Sequence, residues 1–196
     1  MKKTALFILV TVIVTFFFSC QKENMDTFGS YYIYMSKDTS TLILKDTLFV
    51  NGIDTLAKDS AVKTLGVSRS GILPTYPALN IQLKVDSVYI DSLITIFNNP
   101  LIPTTSKSDK VLYVKNSILL PRSCYVILPE VTIKQDERIG VIDVKLNLTQ
   151  LAKIKTTKDF VLALTLQSSS SDTIRATKKT TILKLKRSFV YKTINQ

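Results

Sequence analysis

Apolar and polar residues alternate with a period of two along several short segments of this chain. In residues 79–85 the apolar Leu, Ile, Leu and Val alternate strictly with polar Asn, Gln and Lys. This pattern is typical of a strand with one buried face, and it recurs in residues 140–148 and 180–186. Asn51-Gly52 separates two such runs and predicts a tight hairpin turn. The body of the chain is therefore predicted to be β-structure.

Other short runs rich in β-branched and aromatic residues predict further strands. They are residues 31–35, 41–44, 47–50, 53–57, 111–114, 125–128, 131–134 and 160–167. Residues 91–97, capped by Asp91 or Ser92, and residues 148–154 predict short helices. Residues 58–77, with two glycines and two prolines, and the polar residues 100–110 predict irregular connections. Many short strands with little helix predict an all-β fold, an antiparallel β-sandwich with one or two short helices.

The N-terminus has the pattern of an export signal. Lys2 and Lys3 precede an apolar run over residues 6–18, which is too short to span a bilayer comfortably as a helix. The run ends at Ser19-Cys20 and resembles a lipobox, in which the cysteine is acylated after cleavage on its N-terminal side. A plain secretory signal or a short membrane anchor is the alternative interpretation. We expect a lipoprotein held to a membrane by lipid on Cys20.

The predicted cleavage site and the predicted strands divide the chain into four parts. Residues 1–19 are the signal peptide, and residues 20–29 form a tether whose Lys and acidic residues resemble a surface-export signal. Residues 30–84 supply N-terminal strands, either of the same sandwich or of a small subdomain. Residues 85–196 form the main β-sandwich domain.

The absence of histidine restricts the chemistry of the chain. Ser-His-Asp and Cys-His hydrolases are excluded, as are His-ligated metal sites. Once Cys20 is lipidated, Cys124 is the remaining thiol, which we expect to be a buried small hydrophobe. Ser60 and Lys63 have the spacing of a Ser-Lys hydrolase, but the partner motifs of that class are missing. We therefore expect no catalytic residue, no metal and no cofactor.

Positive charge is concentrated in the C-terminal third. The chain has a net charge of +11, and from Lys134 onward 13 Lys or Arg stand against five Asp or Glu. This excess indicates either attraction to an anionic surface, such as lipopolysaccharide or an acidic glycan, or solubility alone. Because the lysines alternate with apolar residues, we favour solubility. Nucleic-acid binding is disfavoured, since no recognition motif accompanies the charge.

Residues 85–186 resemble a domain of unknown function found at the N-terminal end of many Bacteroidota-type surface lipoproteins. The similarity lies in the Leu-Pro sequence at residues 120–121, the Val-Thr-Ile strand and charged turn of residues 131–137, and the strand at 141–146. Phe-Val-Leu-Ala-Leu at 160–164 stands where the family has Tyr-Val-Leu-Pro-Leu. The resemblance implies an immunoglobulin-like sandwich on an outer-membrane lipoprotein associated with polysaccharide utilisation.

Two functions are then open for the anchored domain. The first is a non-catalytic binding module that captures a glycan, which needs aromatic platforms. With no tryptophan in the chain, the candidates are Tyr31, Tyr32 and Tyr34 of one strand and Tyr76 of the loop at residues 74–77. Packing is the alternative for each, because alternating tyrosines in a strand usually place at least one ring in the core. The second is a structural or protein-interaction lipoprotein, an accessory subunit or adhesin-like spacer with an outer-membrane protein partner. A carboxylate-dependent glycosidase, using acids such as Asp91 or Asp143, is a third and weaker hypothesis.

Overall fold

A computed structural model describes residues 31–50, 53–56, 60–71 and 75–190 of the chain. The strands in this part are β1 (Tyr32–Met35), β2 (Thr39–Val50), β3 (Ile53–Leu56), β4 (Ser60–Arg69), β5 (Leu79–Val85), β6 (Ser117–Leu119), β7 (Tyr125–Val126), β8 (Glu130–Ile133), β9 (Ile139–Asn147), β10 (Asp159–Ser169), β11 (Thr173–Ile174) and β12 (Thr180–Val190). The helices are α1 (Ser87–Asn98), α2 (Asp109–Tyr113) and α3 (Leu148–Ala152), with short 3-10 turns at Thr104–Ser106, Arg122–Cys124 and Ala176–Lys178. The signal peptide, Cys20 and the tether lie outside the described residues.

The strands form two sheets. The first, sheet A, has the order β11-β1-β4-β9-β7, and the second, sheet B, has the order β3-β2-β12-β10-β5-β8 with β6 beside β10. Most neighbours are antiparallel, but β1 with β11, β2 with β12 and β6 with β10 are parallel pairs. Strands from residues 30–84 are hydrogen-bonded into both sheets, because β4 pairs with β9 and β2 pairs with β12.

The core lies between the two sheets. Alternate residues of β1, β4 and β9 point inward from sheet A, and those of β5, β8, β10 and β12 point inward from sheet B. The largest fully buried side chains of this core include Phe160, Leu162, Ile33 and Leu146. The predicted β-sandwich is confirmed, and it follows from the two-residue period of these strands.

A second, smaller core lies on the outer face of sheet B. Ile90 and Leu93 of α1 pack there against Val161 and Ala163 of β10 and Ile182 of β12. Strand β10 is therefore buried on both faces, as seven consecutive residues from Phe160 to Leu166 show. A strand covered on both faces has a continuous apolar run instead of an alternating one.

The prediction of an irregular connection over residues 58–77 is wrong for its first half. Residues 60–69 form β4, which lies in the middle of sheet A, with β1 on one side and β9 on the other. Gly66, which indicated a loop, sits in the strand because Ser36 lies against it: a Cβ there would be 2.7 Å from the Ser36 Oγ. The glycine permits this close approach, a use that glycine also has within strands.

The helical regions also differ from the prediction. Helix α1 begins at Ser87, and Asp86 caps it by accepting a hydrogen bond from the Tyr89 backbone N–H at 3.2 Å. Residues 111–114, predicted as a strand, belong mostly to α2, and α2 also falls partly in the predicted loop 100–110. Their short apolar run packs against α1 in the second core, and periodicity alone does not separate such a run from a strand.

Several smaller predictions agree with the structure. Val50 pairs with Ile53, as the hairpin signal requires, although Asn51-Gly52 itself lies outside the described residues. Cys124 is buried, in a 3-10 turn just before β7. By contrast, residues 41–44 and 47–50, predicted as two strands, belong to the single strand β2, because β12 pairs with β2 along almost its whole length. Among the described residues, no helix is both long and apolar enough to cross a membrane.

Replacing Leu162 by Ala tests the main core. Leu162 is fully buried between the sheets, so its truncation leaves a cavity. We expect the free energy of unfolding to fall by about 2–5 kcal/mol, measured by urea denaturation. Leu101→Ala is the matched control, because Leu101 is 87% exposed and its truncation should change stability by less than about 0.5 kcal/mol. Equal losses in the two variants would contradict this description of the core.

Candidate binding site

Tyr76 lies beside a buried ion pair. Arg69, 2% exposed, points inward from β4, and its Nε donates to Asp172 Oδ2 at 2.5 Å. The Arg69 Nη1 donates to the Pro77 carbonyl at 3.0 Å, and the guanidinium lies 5.3 Å from the centre of the Tyr76 ring. The Tyr76 hydroxyl donates to the Gly71 carbonyl at 2.7 Å. Both the ring and the hydroxyl of Tyr76 thus have contacts within the fold.

Tyr31 packs in the same corner of the sandwich. Its half-buried ring lies directly over Gly71, whose φ of +93° already favours glycine. A side chain at Gly71 would collide with the Tyr31 ring. Tyr31 and Tyr76 therefore both contact Gly71, and Tyr76 also lies against the buried Arg69.

Tyr32 and Tyr34 point the other way, toward the outer face of sheet A. Along β1 the buried residues are Ile33 and Met35, so the two tyrosines between them face outward, and Tyr32 is 36% exposed. Ser68 of β4 stands opposite Tyr34 in the strand register. The structure thus divides the four predicted tyrosines into two pairs, of which only this one lies on an outer face.

Polar groups surround this outward-facing pair. The Ser68 Oγ lies 2.6 Å from the Ser36 Oγ, within hydrogen-bonding distance. The Lys178 Nζ lies 5.8 Å from the centre of the Tyr34 ring. We call Tyr32, Tyr34 and Ser68 the tyrosine platform.

The polar members of this surface were not predicted. Ser68 fell in the segment predicted to be a loop, and Lys178 lies more than 140 residues from Tyr34 in the chain. The strand pairing that brings Ser68 to Tyr34 joins distant segments, and a single sequence contains no local signal for it.

Apolar side chains continue across the outer face of sheet A. Those that are more than half exposed are Val62 of β4, Val126 of β7, Leu128, and Ile139 and Val141 of β9. We call these five residues the apolar strip. Gly66 and Ser68 of β4 stand between β1 and the two β9 members, opposite Val141 and Ile139. Lys145 stands between Val62 and Val126 in the register, so the strip is interrupted by a charged side chain. Exposed apolar side chains grouped on one face are a feature of interaction sites in soluble domains.

The candidate catalytic groups do not form a reactive site. Ser60 and Lys63 both lie on β4, where residues three apart point to opposite faces of the sheet. Asp91 lies on α1, which packs on the outer face of sheet B, whereas Asp143 of β9 in sheet A accepts a hydrogen bond from the Thr64 hydroxyl at 2.9 Å. Across the described ranges, no cluster of His, Cys, Asp and Glu could hold a metal ion.

A protein-family model described as "-like, N-terminal domain" matches residues 23–173 of this chain. No curated protein matches its sequence.

Several solved structures share the fold. A candidate carbohydrate-binding protein from Bacteroides ovatus is 14% identical with a TM-score of 0.55, and the match covers 81% of this chain and 37% of that one. A multidomain protein from the same species that includes the domain of unknown function DUF1735 is 17% identical with a TM-score of 0.52, covering 80% and 45%. The Bacteroides protein EndoBT-3987, solved with a Man5GlcNAc product, is 12% identical with a TM-score of 0.50, covering 80% and 31%. This chain thus corresponds to between about a third and a half of each longer protein.

Replacing Asp172 by Ala tests the buried ion pair. The variant leaves the Arg69 guanidinium buried without its anionic partner. We expect the free energy of unfolding to fall by about 3–5 kcal/mol, measured by urea denaturation at neutral pH.

The matched control is the double variant Arg69→Met/Asp172→Ala, which removes both charges and keeps apolar volume in the site. It should be more stable than Asp172→Ala alone, because no unpaired charge stays buried. A double variant as unstable as the single one would show that the carboxylate acts through packing and not through its charge.

Proposed function

Since the chain belongs to the family of domains described as "-like, N-terminal domain", we propose that it is a non-catalytic module that captures a glycan at the outer membrane. The tyrosine platform is the observation that carries this proposal. Two tyrosines, two residues apart on one strand, face the same side of the sheet, at a spacing of about 7 Å. Aromatic faces of this kind offer apolar area to the C–H side of a sugar ring, and the hydroxyls beside them can bond its polar groups.

The fold comparison supports this proposal. The β-sandwich is shared with a candidate carbohydrate-binding protein. At this low identity the similarity extends to the fold and not to the binding residues. The sandwich places the platform on the outer face of sheet A, where α1 and α2 do not cover it. Both tyrosines are partly exposed, and an open sheet face suits an extended polysaccharide better than a small molecule, which needs a concave site.

Membrane attachment through Cys20 is the second part of the proposal. The sequence around this cysteine supports it, because a single thiol at the end of an apolar run has the position of a lipid acceptor. Lipid on Cys20 would tether the sandwich to the outer membrane, and the acidic and basic residues of the tether favour the cell surface.

Replacing Cys20 by Ser tests the attachment. The hydroxyl cannot take the thioether-linked lipid, so we expect loss of metabolic labelling by an alkynyl fatty acid and loss of the protein from the membrane fraction. Cys124→Ser is the matched control and should keep both the label and the membrane location. Labelling that persists in Cys20→Ser would overturn the lipoprotein proposal.

Replacing both Tyr32 and Tyr34 by Ala tests the platform. We expect the full chain to bind at least one neutral polysaccharide saturably in high salt, and the double variant to bind it at least tenfold more weakly. Binding is measured by affinity electrophoresis against a polysaccharide panel. Val62→Ala/Val141→Ala, which alters the same sheet face away from the tyrosines, serves as control. Equal binding by the tyrosine variant and the parent would reject the platform.

A second candidate function is protein interaction, and the apolar strip is the observation that favours it. Four large apolar side chains of sheet A, together with Leu128 just after β7, are each more than half exposed. This arrangement suits contact with another protein surface. A chain that binds no polysaccharide, and whose pull-down of an outer-membrane protein is lost in Val126→Asp/Val141→Asp, would support this function instead.

A further inference from the structure

A groove of about 620 Å³ lies on the other side of the molecule, between α1 and the segment that leads from α2 into β6. Its volume is within the range typical of small-ligand sites. The polar side chains that line it are Asp91, Asn98, Lys115, Asn116, Ser117 and Lys158, and the main apolar ones are Ile94, Phe97 and Ile118. Because α1 packs on the outer face of sheet B, the groove is on the opposite side of the sandwich from the tyrosine platform.

One wall of the groove is a face of α1. Asp91, Ile94 and Asn98 are spaced by three and four residues, so they lie along one side of the helix. Ile90 and Leu93 hold the helix on sheet B by packing in the second core. These contacts fix the wall in place, and its carboxylate and amide stay on the exposed side.

The opposite wall is held by a buried lysine. Lys184 of β12 is 7% exposed, and its Nζ donates to the carbonyls of Tyr113 and Lys115, each at 3.0 Å. The same Nζ lies 3.2 Å from an Asp159 carboxylate oxygen. This internal cation fixes the backbone from which the Lys115 and Asn116 side chains extend.

Asn116 turns the chain sharply at the rim of the groove. Its φ of +52° is the left-handed conformation, which Asn adopts more readily than most residues. Its carbonyl accepts a hydrogen bond from the Asp159 backbone N–H at 3.0 Å, which joins the turn to the start of β10. The neighbouring Lys158 is thereby placed beside Asn116, so the groove has ammonium and amide groups on the same rim.

We infer that this groove binds a short acidic saccharide, one whose sugar rings carry carboxylates. Two amides and one carboxylate provide donors and acceptors for hydroxyl groups, and Phe97 with the isoleucines provides apolar area for the ring. Lys115 and Lys158 carry two positive charges and Asp91 carries one negative charge, so the lining of the groove is net positive. A net positive lining favours an anionic ligand over a neutral one. The inference does not depend on the tyrosine platform, because no residue is shared between the two sites.

Isothermal titration calorimetry of the full chain with oligogalacturonate tests the inference. The same oligosaccharide with its carboxylates methyl-esterified is the matched ligand, since it keeps the sugar and removes the charge. We expect the esterified form to bind at least tenfold more weakly. Lys115→Gln/Lys158→Gln should weaken oligogalacturonate binding at least tenfold. Asn116→Gly, which keeps the positive φ and removes the amide, should weaken it about fivefold.

Two control variants distinguish binding in the groove from nonspecific charge attraction and from binding at the platform. Lys134→Gln/Lys153→Gln removes the same charge from exposed positions outside the groove and should leave binding nearly unchanged. Tyr32→Ala/Tyr34→Ala should also leave it unchanged, so failure of the platform and failure of the groove are distinguishable. Equal weakening by the two lysine pairs, equal binding of the esterified ligand, or no binding at millimolar oligogalacturonate would each overturn the inference.

Discussion

The burial of β10 on both of its faces is the constraint on which the other parts of the structure depend. Phe160, Leu162 and Leu164 fill the space between the sheets, while Val161 and Ala163 lie beneath α1. One strand therefore positions sheet B against sheet A and also determines where α1 can dock. The groove beside α1 exists because this helix covers only part of the outer face, and Lys184 of the adjacent β12 then fixes the groove's other wall.

The sequence predicted the parts of this architecture that depend on local pattern. The alternation in residues 79–85 and 140–148 indicated strands and their buried faces correctly, because the residue order of a strand with one wet face shows directly which side is buried. The glycines and prolines of residues 58–77 gave the wrong prediction for β4, where Gly66 allows the close approach of Ser36. The short apolar run gave the wrong prediction for residues 111–114, which pack against α1. Both errors arise from contacts between segments that are distant in sequence.

The two outer surfaces of the sandwich have different chemistry. Tyr34 was predicted as a candidate glycan-binding residue because it is aromatic, and its outward direction follows from the two-residue period of β1. The groove was not predicted at all, because Asp91 and Asn116 come together only when α1 is laid on sheet B. The spacing of Asp91, Ile94 and Asn98 on one helical face could have indicated the wall formed by α1. The opposite wall, formed by the segment from α2 into β6, has no such signal in the sequence.

The pairing of β2 with β12 has a consequence for how the chain reaches its native state. These two strands are parallel neighbours separated by about 140 residues. Within the described residues, β2 and its hairpin partner β3 are hydrogen-bonded to the rest of sheet B through β12. The two strands can pair only after a loop that spans almost the entire domain has closed, and closing this loop costs conformational entropy. Contacts of such high sequence separation slow folding, and the β2–β3 hairpin has no sheet to join until β12 has been synthesised. Sheet B thus joins a strand from the start of the domain, β2, to a strand from its end, β12. Removing either strand would leave the hydrogen-bonding edge of the other unpaired.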